Sequence, residues 1–149
     1  MGNKRVLSID YGTKRIGIAT GSFEGRVAFP RDVILNKGVD FVLKEVFSVC
    51  KKLEIDMIIV GMPFNMKDDQ SNSRMISEVN EFVKSLKIAI SESADDEIKK
   101  INVDVFDERL SSFEADALMK SAQKSEKERG KYRDVYAAQI ILQRFFDTK

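Results

Sequence analysis

The segment Met57–Gly61 is apolar at every position, and this pattern strongly restricts the folds available to the chain. A strand with one exposed face alternates apolar and polar residues, so an uninterrupted apolar run is typical of a central strand covered on both faces. Such strands belong to sheets with helices packed on either side. The segment therefore predicts an α/β protein, and the 149 residues suffice for a single domain over 1–149.

Three strands are expected before this segment. They are predicted at about Arg5 to Ile9, at Arg15 to Gly21, and near Arg26 to Phe29, where Pro30 closes the third strand. Neighbouring strands in this order predict an antiparallel meander at one side of a mixed sheet.

Helical and strand patterns then alternate. Apolar residues with helical spacing predict helices over Val39–Leu53 and Ile76–Leu86, and the alternating run Ile101–Phe106 predicts a further strand. Two more helices are expected from about Ser112 and from about Asp134.

The composition excludes several kinds of site. The chain has no histidine and one cysteine, Cys50, so it can form neither an intrachain disulfide nor a histidine or thiolate metal site. Any bound metal must be held by oxygen. Cys50 falls on an apolar helical face, which favours a buried hydrophobe over a nucleophile. We expect a cytoplasmic protein without a membrane segment, because no apolar run approaches about 20 residues and no signal-peptide pattern is present.

Three acidic residues stand at structurally significant positions. Asp10 ends the first apolar run and precedes a second, Glu108 lies just past the end of the predicted Ile101–Phe106 strand, and Asp134 opens the predicted final helix. A partly buried carboxylate requires a partner, so Asp10 is either a structural cap or a metal ligand. Carboxylates from two strand ends and one helix could converge on a single site.

Four blocks in order resemble the YqgF/RuvX family of Holliday junction resolvases and pre-16S ribosomal RNA nucleases, and together they span essentially the whole chain. The blocks are Ile9–Ala19, Val60–Pro63, Asp107–Ser112, and Asp134 followed by Ala137–Ala138 and Ile141–Gln143. The resemblance implies a ribonuclease H-like fold, with a mixed central sheet and helices on both faces. It places the family's acidic positions on Asp10, Glu108 and Asp134. The chain departs from the family pattern at Met62, where leucine is usual, and at Ser111–Ser112, where threonines are common. Neither departure affects the three acidic positions.

A divalent cation, Mg²⁺ or Mn²⁺, would reconcile three converging carboxylates. Two carboxylates about 4 Å apart repel by roughly 4 kcal/mol at an effective dielectric constant of about 20. Magnesium prefers carboxylates, water and substrate phosphate, and two such ions can activate water and stabilise a leaving oxygen. We therefore predict that Asp10, Glu108 and Asp134 are catalytic residues and metal ligands.

Several polar residues are candidates for substrate binding. Thr13, Lys14 and Arg15 follow the first acid and could hold a phosphate, or could form a solvated turn around Gly12. The other candidates are Asn65 and Arg74 in a predicted loop region, Arg109 beside Glu108, and the basic residues Lys124, Lys127, Arg129 and Lys131.

The last four residues lie in a segment, Ser121 to Tyr132, that lacks periodic apolar residues. This segment is predicted to be a mobile basic loop, either a lid over substrate phosphates or an ordinary exposed connection. The acidic stretch containing Glu92 and Asp95–Glu97 is predicted to be a solvated loop.

The expected function is metal-dependent hydrolysis of phosphodiester bonds in structured nucleic acid, with 16S ribosomal RNA precursor processing favoured by the resemblance. Resolution of Holliday junctions and a catalytically silent ribosome-assembly role remain alternatives. Asp10–Thr13 also resembles the phosphate loop of actin-like ATPases, but these duplicate the fold and 149 residues leave no room for a second half. Partners would be RNA, branched DNA or ribosomal precursor particles, bound by a monomer or a homodimer.

Overall fold

The computed structural model of the chain describes residues 3–62, 70–107 and 126–148. The strands in these ranges are β1 (Arg5–Asp10), β2 (Arg15–Ser22), β3 (Phe29–Leu35), β4 (Met57–Met62) and β5 (Asn102–Asp107). The helices are α1 (Val39–Lys52), α2 (Gln70–Ser91), the short α3 (Asp96–Lys99) and α4 (Glu126–Asp147).

The strands form one sheet in the order β3-β2-β1-β4-β5. Strand β1 pairs antiparallel with β2, which pairs antiparallel with β3, whereas β1, β4 and β5 are mutually parallel. The predicted mixed sheet with an initial antiparallel meander is therefore confirmed. The apolar strand β4 lies between two strands, as its sequence predicted, and Ile58, Ile59 and Val60 are fully buried.

Each face of the sheet carries its own apolar core. Alternate residues of β1, such as Leu7 and Ile9, pack with Val42, Val46 and Leu86 on the face covered by α1 and α2. This core also contains Cys50, where burial raises the pKa of the thiol to about 12, so the cysteine is a packing residue as predicted.

Among the described residues, α4 covers the opposite face. Its core joins Val6, Ala19 and Ile59 of the sheet to Ile141 and other apolar residues of the helix. Phe145 and Phe146 are both buried in this core, and their rings contact Phe23.

Polar contacts attach α4 to the sheet at defined positions. The buried Ser8 hydroxyl donates a hydrogen bond to the Ala138 carbonyl at 2.7 Å. Near the end of the helix, the Gln143 side chain accepts from Ala28 N at 3.0 Å and donates to the Arg26 carbonyl at 2.9 Å. These contacts fix the position of the helix along the strands.

Strand β3 differs from its prediction. The strand predicted near Arg26 to Phe29 is wrong, because β3 runs from Phe29 to Leu35 and Pro30 lies inside it. Proline is tolerated here because β3 is the edge strand, where a missing N–H can face solvent. The β2–β3 register shifts between Ile18 and Ala19, which leaves Arg31 as the extra residue of a β-bulge.

The final helix also differs from its prediction. It begins at Glu126 rather than near Asp134, so the predicted basic loop is wrong from residue 126 onward. Glutamate, lysine and arginine are good helix formers even without apolar periodicity, so this segment can continue the helix toward its N-terminus. The predicted helix from Ser112 lies outside the described residues.

One smaller expectation also requires correction. The acidic stretch is not simply a solvated loop, because Asp95 caps the N-terminus of α3 and forms an ion pair with Lys51 at 2.6 Å. Within the described ranges, no helix combines the length and apolarity needed to cross a membrane.

Gly17 of β2 allows α4 to approach the sheet closely, and its substitution tests this packing. A Cβ atom at Gly17 would overlap the backbone carbonyl of Asp134, which cannot move independently of the helix. We expect Gly17→Ala to lower the free energy of unfolding by about 2 kcal/mol, as overpacking of a core typically does. Urea denaturation measures this change.

Gly25→Ala is the matched control, because its added methyl group would meet only the Ser22 hydroxyl, at 3.3 Å. Equal stabilities of the two variants would contradict the close approach at Gly17.

Candidate active site

Asp10 is the last residue of β1, and its side chain is half-buried. Alternate residues of β1 point to opposite faces of the sheet, and Val6 and Ser8 face α4. Asp10 therefore lies on the α4 face as well. Its partner in the antiparallel register with β2 is Gly17.

Asp134 lies on α4, close to the end of β1 where Asp10 lies. It lies in the third turn of α4, so the prediction that it occupies the first turn is wrong. Its backbone carbonyl lies against Gly17, directly across the β1–β2 ladder from Asp10. The structure thus brings two of the three predicted acids to the same point on one face of the sheet.

Arg15 forms an ion pair with Asp134. The Nε atom of Arg15 donates to Oδ2 of Asp134 at 3.1 Å, and the Asp134 side chain is only 20% exposed. Burial raises the pKa of the Asp134 carboxyl, although the charges of Arg15 and Arg133 act in the opposite direction. The cost of removing the carboxylate from water therefore exceeds the compensation that these cations provide.

The turn between β1 and β2 has a fixed shape. A side chain at Gly12 would collide with the Arg15 carbonyl, so glycine is required there by close approach rather than by a positive φ angle. Thr13 and Lys14 are exposed at this turn. They lie beside Asp10 in sequence and are accessible to a ligand.

Asn36 supports this turn and was not singled out from the sequence. Its Nδ2 atom donates to the Gly12 carbonyl at 2.9 Å and to the Tyr11 hydroxyl at 3.2 Å. The Asn36 backbone N–H also donates to the Lys14 carbonyl at 2.9 Å. No local pattern could reveal contacts across 24 residues. Gly17, by contrast, had a signal, because glycine inside a strand often marks a close backbone approach.

The remaining predicted site residues are divided between the described ranges and the rest of the chain. Arg74 lies exposed on α2 rather than in a loop, and Lys127, Arg129 and Lys131 lie on α4. The predicted residues outside the described ranges are Asn65, Glu108, Arg109 and Lys124. Within the described ranges, no group of three or more potential metal ligands was found.

The donor chemistry of this place fits a hard divalent cation. The two acids provide carboxylate oxygens, which Mg²⁺ and Mn²⁺ accept readily. Asp134 carries a burial cost that Arg15 only partly offsets, so additional positive charge would be favourable there. A phosphate group could approach the exposed turn residues from solvent. The arrangement can therefore accommodate a metal-assisted reaction at a phosphodiester.

Comparison with known proteins identifies the family. A family model described as RuvX, Holliday junction resolvase, matches residues 4–148. A protein of Fusobacterium nucleatum named "Putative pre-16S rRNA nuclease" is 33% identical over 147 residues, which cover 98% of this chain and 99% of the relative. A protein of Halothermothrix orenii with the same name is 35% identical over 143 residues, covering 96% of this chain and 94% of that relative.

A solved structure supports the predicted fold. RuvC of T. thermophilus in complex with a Holliday junction substrate superimposes with a TM-score of 0.59, covering 97% of this chain and 94% of RuvC. The sequence identity is 16%, so this likeness concerns the fold alone. It confirms the ribonuclease H-like prediction. Because the family model matches nearly the entire length, this chain belongs to the RuvX family of nucleases.

Proposed function

We propose that this chain is a divalent-metal-dependent nuclease that cleaves structured nucleic acid, with the 16S ribosomal RNA precursor as its substrate in the cytoplasm. The observation that carries the proposal is the meeting of Asp10 and Asp134 at Gly17. Two acids from distant parts of the sequence share one partly buried position, and a cation can compensate both charges. The names of the curated relatives support the choice of RNA substrate.

Glu108 is proposed as the third acid. Strands β1, β4 and β5 are parallel, so their C-terminal ends lie at the same end of the sheet. Strand β5 ends there at Asp107, and β1 ends there at Asp10. The two strand ends are separated only by β4, a spacing of roughly 10 Å between strand axes. Glu108 follows Asp107 directly in the sequence.

The carboxylates of Asp10, Glu108 and Asp134 would hold the metal. When bound, a divalent cation lowers the pKa of water and stabilises negative charge on the leaving oxygen. The chain's own groups orient the substrate: Thr13, Lys14 and Arg15 present a hydroxyl and two cations to the scissile phosphate. The scaffold that includes Asn36 keeps these groups near Asp10.

Arg15 has two proposed partners at different stages. Without substrate it pairs with Asp134, and a bound phosphate offers a competing anion. Transfer of the guanidinium to the phosphate would leave the Asp134 carboxylate to the metal. Arg15 therefore compensates buried charge in the free protein and binds substrate in the complex.

Cleavage assays test the proposal. Pure protein is incubated with Mg²⁺ or Mn²⁺ and either a 16S precursor fragment or a four-way DNA junction, and the product ends are mapped. We expect cuts in the RNA that require metal. Cuts in the junction alone would favour the resolvase alternative, which the family description supports. Binding of either substrate without cleavage would indicate a silent assembly factor.

Asp10→Asn and Asp134→Asn should each reduce the cleavage rate at least about 100-fold, because a neutral amide is a poor ligand for a hard cation. Asp40→Asn is the matched control, since Asp40 is an exposed acid on α1, away from this site. Single-turnover cleavage kinetics measure the effect. A variant of Asp10 or Asp134 that cleaves at the rate of the control would contradict the assignment.

The raised pKa of Asp134 predicts a pH-dependent stability. The folded state holds the proton more tightly than the unfolded state, so Asp134 lowers stability as the pH rises from its unfolded value through its folded value. Asp134→Asn should therefore raise the melting temperature at pH 7 in metal-free buffer. The difference from the parent should shrink below the unfolded pKa of about 4. A melting temperature lowered at pH 7 would show that the Arg15 ion pair outweighs the burial cost.

Arg15→Gln should shift two affinities in opposite directions. Mn²⁺ affinity without substrate should rise about two- to fivefold, because a partly exposed ion pair of this kind is worth up to about 1 kcal/mol. Affinity for nucleic acid should fall. Lys14→Gln is the control, because Lys14 is an exposed cation in the same turn. Mn²⁺ binding is measured by electron paramagnetic resonance, and equal Mn²⁺ affinities of the two variants would refute the competition at Asp134.

A further inference from the structure

A cleft of about 320 Å³ lies far from the candidate active site. It is lined by residues that include Arg5 at the start of β1, Thr20 near the end of β2, and Phe29 and Arg31 of β3. Thr20 is two residues beyond Ile18, which faces the α1 side of the sheet. The cleft is therefore at the opposite end of the strands from Asp10 and on the opposite face.

A β-bulge places Arg31 at this cleft. Ile18 pairs with Asp32 and Ala19 pairs with Pro30, so Arg31 has no register partner of its own. Bulges commonly redirect a side chain, and here Nε of Arg31 donates to the Thr20 hydroxyl oxygen at 2.6 Å. Thr20 itself is only 4% exposed. Among the described residues, no carboxylate forms an ion pair with Arg31 within 4.0 Å, so its guanidinium can bind an incoming anion.

Arg5 contributes a second guanidinium. Its Nη1 atom donates to the Leu53 carbonyl at 3.0 Å and lies 3.6 Å from Oε2 of Glu54. Glu54 is 76% exposed, so solvent strongly screens this ion pair. Two positioned arginines beside one cleft are a typical arrangement for a phosphate group.

Phe29 indicates which phosphate compound would fit. It is the register partner of Thr20, and 53% of this apolar residue is exposed to solvent. An exposed aromatic ring next to arginines is characteristic of sites where a base stacks while its phosphate binds the cations. Inorganic phosphate would use the arginines but not the ring.

We propose that this cleft binds one nucleotide unit of a nucleic-acid strand, with the phosphate on Arg31 and Arg5 and the base against Phe29. The proposal rests on the nucleic-acid substrate inferred above, but it concerns a separate contact. Arg5 and Asp10 are at opposite ends of β1, roughly 17 Å apart at 3.3 Å per residue. The two sites also lie on opposite faces of the sheet, so a strand with the roughly 3.4 Å rise of stacked nucleotides needs more than about five nucleotides to reach both positions. The cleft therefore acts only on long or branched substrates.

Binding measurements separate the phosphate contact from the base contact. Fluorescence anisotropy of a labelled single-stranded RNA 20-mer is followed in EDTA over a series of KCl concentrations. We expect Arg31→Gln to weaken binding at low salt and to reduce the slope of log affinity against log salt by about 1. Phe29→Ser should weaken binding about fivefold or more at every salt concentration, without a change in slope.

Lys44→Gln is the charge-matched control, because Lys44 is exposed on α1 and does not line the cleft. Melting temperatures of all variants establish that they are folded. The proposal is overturned if Arg31→Gln binds RNA as Lys44→Gln does, or if Phe29→Ser binds as the parent does.

Two further measurements complete the test. The first asks whether the cleft binds a free nucleotide rather than a nucleic-acid strand, and the second separates this proposal from the proposed nuclease activity. Adenosine monophosphate binding that depends on Arg31, together with unchanged RNA binding, would assign the cleft to a free nucleotide and overturn the strand contact. A substrate of four nucleotides should be cleaved equally by parent and Arg31→Gln. If the parent cleaves no substrate, the nuclease proposal fails. The anisotropy results still test whether the cleft binds a nucleotide unit of the strand.

Discussion

The close approach of α4 to strand β2 is the constraint on which the rest of the site depends. Gly17 has no side chain, so the backbone of Asp134 can lie directly on the sheet. The Ser8 hydroxyl and the Gln143 amide then fix the helix at two further points along its length. If a larger residue at position 17 lifted the helix, Asp134 would move away from the end of β1, and the two acids would no longer share one location.

This packing creates an electrostatic imbalance. Asp134 is drawn into a place where its carboxylate loses much of its hydration, and the raised pKa reflects that loss. Arg15 of β2 partly compensates the charge of the Asp134 carboxylate, because β2 packs directly against α4. A fold that accepts such a cost in the free state is suited to receiving a cation. The burial of Asp134, which costs the free chain stability when the carboxylate is charged, would therefore also favour a cation bound beside it.

The sequence predicted much of the fold because its signals are local. The apolar segment Met57–Gly61 indicated a central strand, and the paired runs around Asp10 indicated an antiparallel hairpin. The start of α4 was misplaced because a charged helix segment has no apolar period, although its residues are good helix formers. The bounds of β3 were misplaced because Pro30 normally ends a strand, and only its location at the sheet edge makes it acceptable.

Sequence alone determined the α/β class, the absence of histidine and thiolate metal chemistry, and the candidate acids, because these follow from residue type and local periodicity. Tertiary structure decided that Asp10 and Asp134 meet across Gly17 and that Arg15 pairs with the second acid. It also decided that a bulge turns Arg31 toward Thr20. These contacts join residues far apart along the chain or depend on strand register, and both are consequences of packing between elements that no local pattern encodes.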